Sequence, residues 1–215
     1  MKNKIKKFLL IILILSCKSF SAEKEIIHYM QTQNSKLSVK EAQLIYKNVL
    51  YYSNKYEIDP VLIFSVMKTE SHFKHSTVSS AGAKGLMQLM PFNFKEFGVD
   101  NSIQGNIKGG IMHLKRDLDR FKNTTDTLAA YNAGPSRAVT GEWKKFKETT
   151  GYITKINKVY PEIKELFYTN NRNKQYLYEE IEIIEAETPK KLTKEEKFQK
   201  NSIGFKRPER INDEN

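Results

Sequence analysis

One cysteine, Cys17, is all that the 215 residues contain, so no intrachain disulfide can brace the fold whatever the redox state of its compartment. Long apolar runs are missing too. The longest unbroken one, Phe8 to Leu15, rises only about 12 Å as a helix, against a hydrocarbon core of roughly 30 Å, which argues against a membrane span in the mature chain. No stretch before residue 170 alternates polar and apolar residues as a half-buried strand does, and this leaves an all-α class. Helix-turn-helix, zinc-knuckle and RNA-recognition patterns are absent, so nucleic acid is not the expected partner despite the basic composition. His72 and His75 stand three apart, but there is no HExxH pattern and no third ligand at a sensible spacing; no metal is expected.

What is present begins with an address. Lys2, Lys4, Lys6 and Lys7 precede the apolar run, and small and polar residues follow it in "SCKSFSAE", the layout of a secretory signal with cleavage near residues 21 to 22. "ILSC" is similar to a bacterial lipoprotein cleavage box, so a lipid anchor through Cys17 is the alternative. The formal charge is +11, and five of the lysines (Lys2, Lys4, Lys6, Lys7 and Lys18) lie in the leader, which leaves +6 for the rest. An exported basic chain suits an anionic partner such as cell-envelope polymer or membrane surface. The expected location is the periplasm or cell envelope.

With 39% hydrophobic and 11% aromatic residues, one core can be filled. The expected organisation is a signal peptide over 1–22, a linker over 23–37, a helical domain over 38–168 and a charged tail over 169–215. That tail, rich in Lys, Glu and Asn, reads as largely disordered or partly helical apart from the apolar patch "YLYEEIEII".

The helices follow from spacing and caps. Ser38 and Glu41 form a capping-box pair ahead of Leu44, Ile45, Val49 and Tyr52, which predicts a helix over about 38–55. Asp59 before Pro60 opens another, over 60 to about 73. Ile103, Ile107, Ile111, Leu114, Leu118 and Phe121 mark a long amphipathic helix. A short one over "DTLAAYNAG", capped near Thr125 or Asp126, stops at Gly134 and Pro135. The last, "GYITKINKVYPEIKELF", has Pro161 at a kink or break.

Within "VLIFSVMKTESHF" the residues Ile63, Val66, Met67 and Glu70 share one face. A carboxyl group on an apolar face is either paired or kept protonated, because burial disfavours its charged form. Taken with "SSAGAKGLMQLMP" (Ser79 to Pro91), "AAYNAGP" (Ala129 to Pro135) and "ETTGYITKI" (Glu148 to Ile156), the "ES" pair makes a set of four blocks whose order and spacing resemble the catalytic domain of the soluble-type (SLT) lytic transglycosylases of family 1, relatives of goose-type lysozymes. The resemblance covers about residues 40 to 165. It implies a lysozyme-like helical fold with a saccharide-binding groove and no cofactor. It assigns Glu70 as the single catalytic acid and base, Ser79 and Gln88 as polar contacts near the cleaved bond, Met90 as groove wall, Tyr131 and Asn132 as the floor, and Tyr152 as the tyrosine of the last block. His75, Thr150 and Gly151 depart from the common pattern.

The chemistry agrees with the residues. Breaking a glycosidic bond needs a proton on the leaving oxygen, and a neutral carboxylic acid on an apolar face supplies it. Ordinary glycosidases add a second carboxylate, yet Asp100, Asp117, Asp119 and Asp126 fall in a loop, on the polar side of a helix, or at a cap. The resemblance implies another route. The N-acetyl group of the muramyl residue stabilises the cation, and Glu70 then takes the proton of that sugar's C6 hydroxyl, leaving a 1,6-anhydromuramyl end. Its implied partners are peptidoglycan strands, and a small domain of this kind also suits an envelope secretion or conjugation apparatus. The rival functions are a lysozyme-like muramidase and a non-catalytic wall-binding module. Met87 is divided between core and site, and Trp143 is expected to pack rather than stack on sugar.

Overall fold

The computed structural model describes residues 22–168. The leader with Cys17 and the tail with "YLYEEIEII" lie outside the described residues. The first helix, α1, runs over 22–33, where Ala22, Ile26, Tyr29 and Met30 recur at helical spacing and are all buried. The linker expected over 23–37 is therefore part of the folded body. Its apolar residues line one helical face and have a core to enter, with the Tyr29 ring edge-on to Phe73 at 6.1 Å.

Helix α2 (Val39–Lys55) starts at Ser38 with both capping-box bonds formed. Helix α3 (Pro60–Ser71) starts at Asp59, whose carboxylate accepts from the Val61 amide. Every residue from Val61 to Met67 is buried, so α3 is enclosed on all sides, as a helix apolar all round must be. Helices α4 (Pro91–Phe97), α5 (Ile103–Phe121), α6 (Thr124–Ala133) and α7 (Pro135–Thr140), a 3₁₀ turn (Glu142–Lys145) and α8 (Lys147–Tyr168) complete the described order. The α6 cap is Asn123, accepting from the Asp126 amide, rather than Thr125 or Asp126. Helix α8 continues through Pro161 without a break.

No strand occurs among the described residues; isolated antiparallel bridges, Val78 with Lys84 and Lys84 with Leu89, shape the loop between α3 and α4. Helix α3 packs against α8 and α2, α5 lies across α2, α4 and α6, and α6 also touches α8. The phenol of Tyr160 on α8 donates to the capping carboxylate of Asp59 at 2.5 Å, fixing the start of α3. Trp143 and Met87 are both buried in the common core. Among the described residues no helix is long and apolar enough to cross a membrane.

Candidate active site

Glu70 sits in the last turn of α3, where unpaired carbonyl groups give the helix a partial negative end that disfavours a second negative charge. Solvent reaches part of the side chain, yet the surrounding protein is dense enough that burial raises its pKa to about 7, an effect that the neighbouring Tyr152 hydroxyl partly offsets. Half of such carboxyls are protonated near neutrality. The hydroxyl of Tyr152 is buried and forms no hydrogen bond of ordinary geometry, so its influence on Glu70 comes from proximity rather than an aligned bond. Burial first, and Glu70 next, push both Tyr131 and Tyr152 well above the usual tyrosine range. Both phenols stay neutral, and the three side chains are mutual neighbours.

Immediately after Ser71 the chain reverses. His72 and Phe73 both take left-handed conformations, with φ of 51° and 60°, and Phe73 is fully buried as the anchor of the turn. The following loop carries Ser79 and Gln88 and is held from three sides. The Ser71 hydroxyl, buried, reaches the Leu86 carbonyl at 2.8 Å and the Met67 carbonyl at 3.1 Å. Asn106 of α5, with no exposed surface, accepts from the Met87 amide at 2.8 Å and donates to the Lys84 carbonyl at 2.9 Å and to Asn101 at 3.0 Å. Gly85 lies against it at φ +82°, and a β-carbon there would stand 2.2 Å from the Asn106 amide nitrogen, so only glycine fits.

The third hold is Tyr131, whose hydroxyl donates to the Met87 carbonyl at 2.6 Å. Within the loop, the Gln88 amide nitrogen donates to the carbonyls of Thr77 and Gly85, which leaves its side-chain oxygen as the group turned to other partners. Ser79 accepts from the Ala83 amide at 3.0 Å. Met90 is partly buried and occupies the cap position of α4. Asn132 follows Tyr131 on α6, partly buried, with no hydrogen bond from its side chain among the described residues. Ser71 thus ties the loop to the helix that presents Glu70, and Asn106 and Tyr131 tie it to α5 and α6; the sequence pattern gives Asn106 no such role.

The remaining carboxylates have other work. Asp100 accepts from Ser102 at 2.6 Å, Asp119 pairs with Lys115 at 2.9 Å, and Asp126 accepts from Asn123 at 2.9 Å. Asp117 is not on the polar side of α5 as its sequence position predicts; it is 1% exposed. Burial alone would raise it, but His113 and Arg116 outweigh that and hold it below the ordinary carboxylate range. No cluster of three His, Cys, Asp or Glu side chains suited to a metal occurs among the described residues.

The family model described as "Transglycosylase SLT domain" matches residues 47–154. A transglycosylase of Enterobacteria phage PRD1 is 40% identical over 105 residues, 48% of this chain and 39% of the phage protein. Membrane-bound lytic murein transglycosylase C of Haemophilus influenzae is 34% identical over 131 residues, 51% of this chain and 36% of that protein. The chain thus spans less than two fifths of the length of these curated relatives. The 70 kDa soluble lytic transglycosylase of Escherichia coli shares the fold over 70% of this chain and 29% of its own, with a TM-score of 0.52 and 21% identity. With half of its length matched by that family model, and with a helical fold to go with it, the chain belongs to the transglycosylase SLT-domain family.

Proposed function

We propose that the protein is a peptidoglycan lytic transglycosylase that cleaves the β-1,4 bond between N-acetylmuramic acid and N-acetylglucosamine without water, with Glu70 as its single acid and base. The observation that carries this reading is a carboxyl group held near half-protonation beside two neutral phenols, while the other acidic side chains reviewed above are engaged in caps and ion pairs.

The protonated Glu70 gives its proton to the glycosidic oxygen as that bond breaks, and the N-acetyl oxygen of the muramyl residue stabilises the cation left at C1. Glu70, now a carboxylate, removes the proton of the C6 hydroxyl as its oxygen closes on C1, and the acid is restored. Atoms balance without a water molecule, and the product is a 1,6-anhydromuramyl end. An intramolecular hydroxyl has a high effective concentration, which replaces the water and second carboxylate of a hydrolase. Tyr152 beside the acid supports its charged form after the first transfer, and Tyr131, with its own proton committed to Met87, offers its ring face to the sugar rather than a donor to Glu70. Ser79, Gln88 and Asn132 hold polar atoms of the saccharide, and Met90 lines the wall.

Export to the cell envelope follows from the leader and the substrate together, with the lipid anchor at Cys17 as its variant. The test is Glu70→Gln on purified peptidoglycan. Release of soluble muropeptides should vanish while the fold melts cooperatively as before, and mass spectrometry of wild-type products should find ends lighter by one water than reducing muramic acid. Undiminished release by Glu70→Gln, or reducing ends from the wild type, would overturn the mechanism.

A further inference from the structure

The chemistry above leaves one buried acid and one buried histidine unused. Asp117 and His113 lie one turn apart on the inward side of α5, 1% and 9% exposed. The imidazole Nε2 stands 3.3 Å from an oxygen of Asp117, an ion-pair distance without a well-aligned hydrogen bond, and Nδ1 is buried with no polar partner. The other Asp117 oxygen accepts from Arg116 Nε at 3.1 Å. The opposite end of that guanidinium donates to Glu96 of α4 at 2.6 Å, Asn93 donates to Glu96 at 3.4 Å, and Asn93 in turn accepts from the Met90 amide at 3.1 Å. At the near end the His113 ring lies 4.4 Å from the Tyr131 ring, tilted by 34°, with Phe97 beyond it at 5.9 Å.

We propose that His113, oriented by Asp117, is a positioning residue for Tyr131, and that the polar frame running on through Arg116, Glu96 and Asn93 to Met90 sets the floor and the wall of the saccharide site as one piece. This rests on the reading of Tyr131 and Met90 as site residues. A buried ion contributes little to stability compared with apolar side chains of the same volume, so stability alone gives α5 no reason to keep a charge here. Geometry does. Tyr131 must hold one ring angle for its hydroxyl to meet the Met87 carbonyl, and a flat neighbour fixed at its own far end removes the freedom to swing. Leucine would fill the space and leave the ring free to rock.

The experiment uses the full chain and purified peptidoglycan. His113→Phe with Asp117→Leu removes both polar partners together, so that neither is left unpaired in the core, and it is measured in the native background and in Tyr131→Phe. Turnover should fall by about tenfold in the native background, well inside the hundredfold that a misplacement of about 1 Å costs. In Tyr131→Phe the same pair of changes should cost less than about twofold, because residues that act through one another are not additive. The melting temperature should move equally in both backgrounds. Undiminished turnover, or an equal loss in the two backgrounds, refutes the positioning role while leaving the site intact. Full activity of Tyr131→Phe alone refutes this inference, and full activity of Tyr131→Ala, which removes the ring, refutes the reading of the site as well. Should the double variant fail to fold, Asp117→Asn, which keeps shape and one acceptor, must show the same non-additivity with Tyr131→Phe or the proposal is wrong.

Discussion

The hydroxyl of Ser71 meets the carbonyl oxygen of Leu86 at 2.8 Å across a fifteen-residue gap, one residue beyond the acid that the fold presents. A glutamate followed by a serine therefore joins two requirements: a proton donor at the end of an enclosed helix, and a buried clasp that brings the loop of Ser79 and Gln88 back to it. Ser71→Ala leaves a buried carbonyl without that donor, which costs about 1–3 kcal/mol. Urea unfolding should show this loss, and muropeptide release should fall further than stability alone explains, because the loop carrying Gln88 is loosened. Full activity in a destabilised Ser71→Ala would mean that the clasp serves folding only.

Glu70 makes a prediction in which sign matters. Its ordinary pKa of 4.5 becomes about 7 in the fold, so the folded state binds a proton that the unfolded state has already released between these values. The stability linked to this proton is fully present below about pH 4.5 and is lost as pH rises through about 7. Glu70→Gln has no such proton to lose. The variant should therefore exceed the wild type in stability at about pH 8, by up to about 3 kcal/mol from the size of the shift, and match it near pH 4. Turnover of the wild type should decline above about pH 7, as the donor form disappears. Parallel unfolding curves for the two proteins across that range would show that Glu70 ionises as if in water.

Local rules made much of the fold legible. Ser38 with Glu41 and Asp59 with Pro60 announce their helices because caps depend on residues within one turn. In "NTTD" several side chains can cap, and the structure uses Asn123 while Asp126 sits at the third helical position. Glu70, Tyr131 and Tyr152 could be named from motif resemblance, and the structure makes them neighbours. His113, Asn106 and Asp117 were illegible as inward residues, since a polar side chain in an amphipathic pattern reads as outward until its buried partner is known. The left-handed pair His72 and Phe73 was equally hidden; histidine enters that region more readily than most residues, but phenylalanine rarely does, and here it goes with the full burial of Phe73.

Asn106 is the most exposed to test among these hidden residues. It satisfies the Met87 amide and the Lys84 carbonyl with one side chain, and Met87 also receives the Tyr131 hydroxyl. Asn106→Leu should cost about 1–3 kcal/mol for the buried Met87 amide left unpaired, while the Lys84 carbonyl keeps the Leu89 amide at 3.0 Å. Asn106→Asp restores the acceptor for Met87 but turns the donor to Lys84 into an acceptor, so it should recover only part of the loss. Calorimetric melts of the three proteins order these outcomes, and a leucine variant as stable as the wild type would show that the loop is held elsewhere.

The helix over 22–33 gives the last prediction. Ile26 and Met30 have no exposed surface, and the Asn34 side chain beyond them donates to the Phe73 carbonyl at 3.2 Å, so α1 supports the turn that follows Glu70. A residue in a solvated linker can be truncated at a cost within about 0.5 kcal/mol. Ile26→Ala should instead cost about 2–5 kcal/mol, as removal of buried methyl and methylene groups does in a close-packed core. Because Asn34 reaches the turn through its backbone partner, Asn34→Ala should leave most of the stability in place and slow muropeptide release, as Phe73 loses one of its fixed contacts. Urea unfolding separates the two variants from each other, and an Ile26→Ala protein with an unchanged midpoint would return 22–33 to the status of a linker.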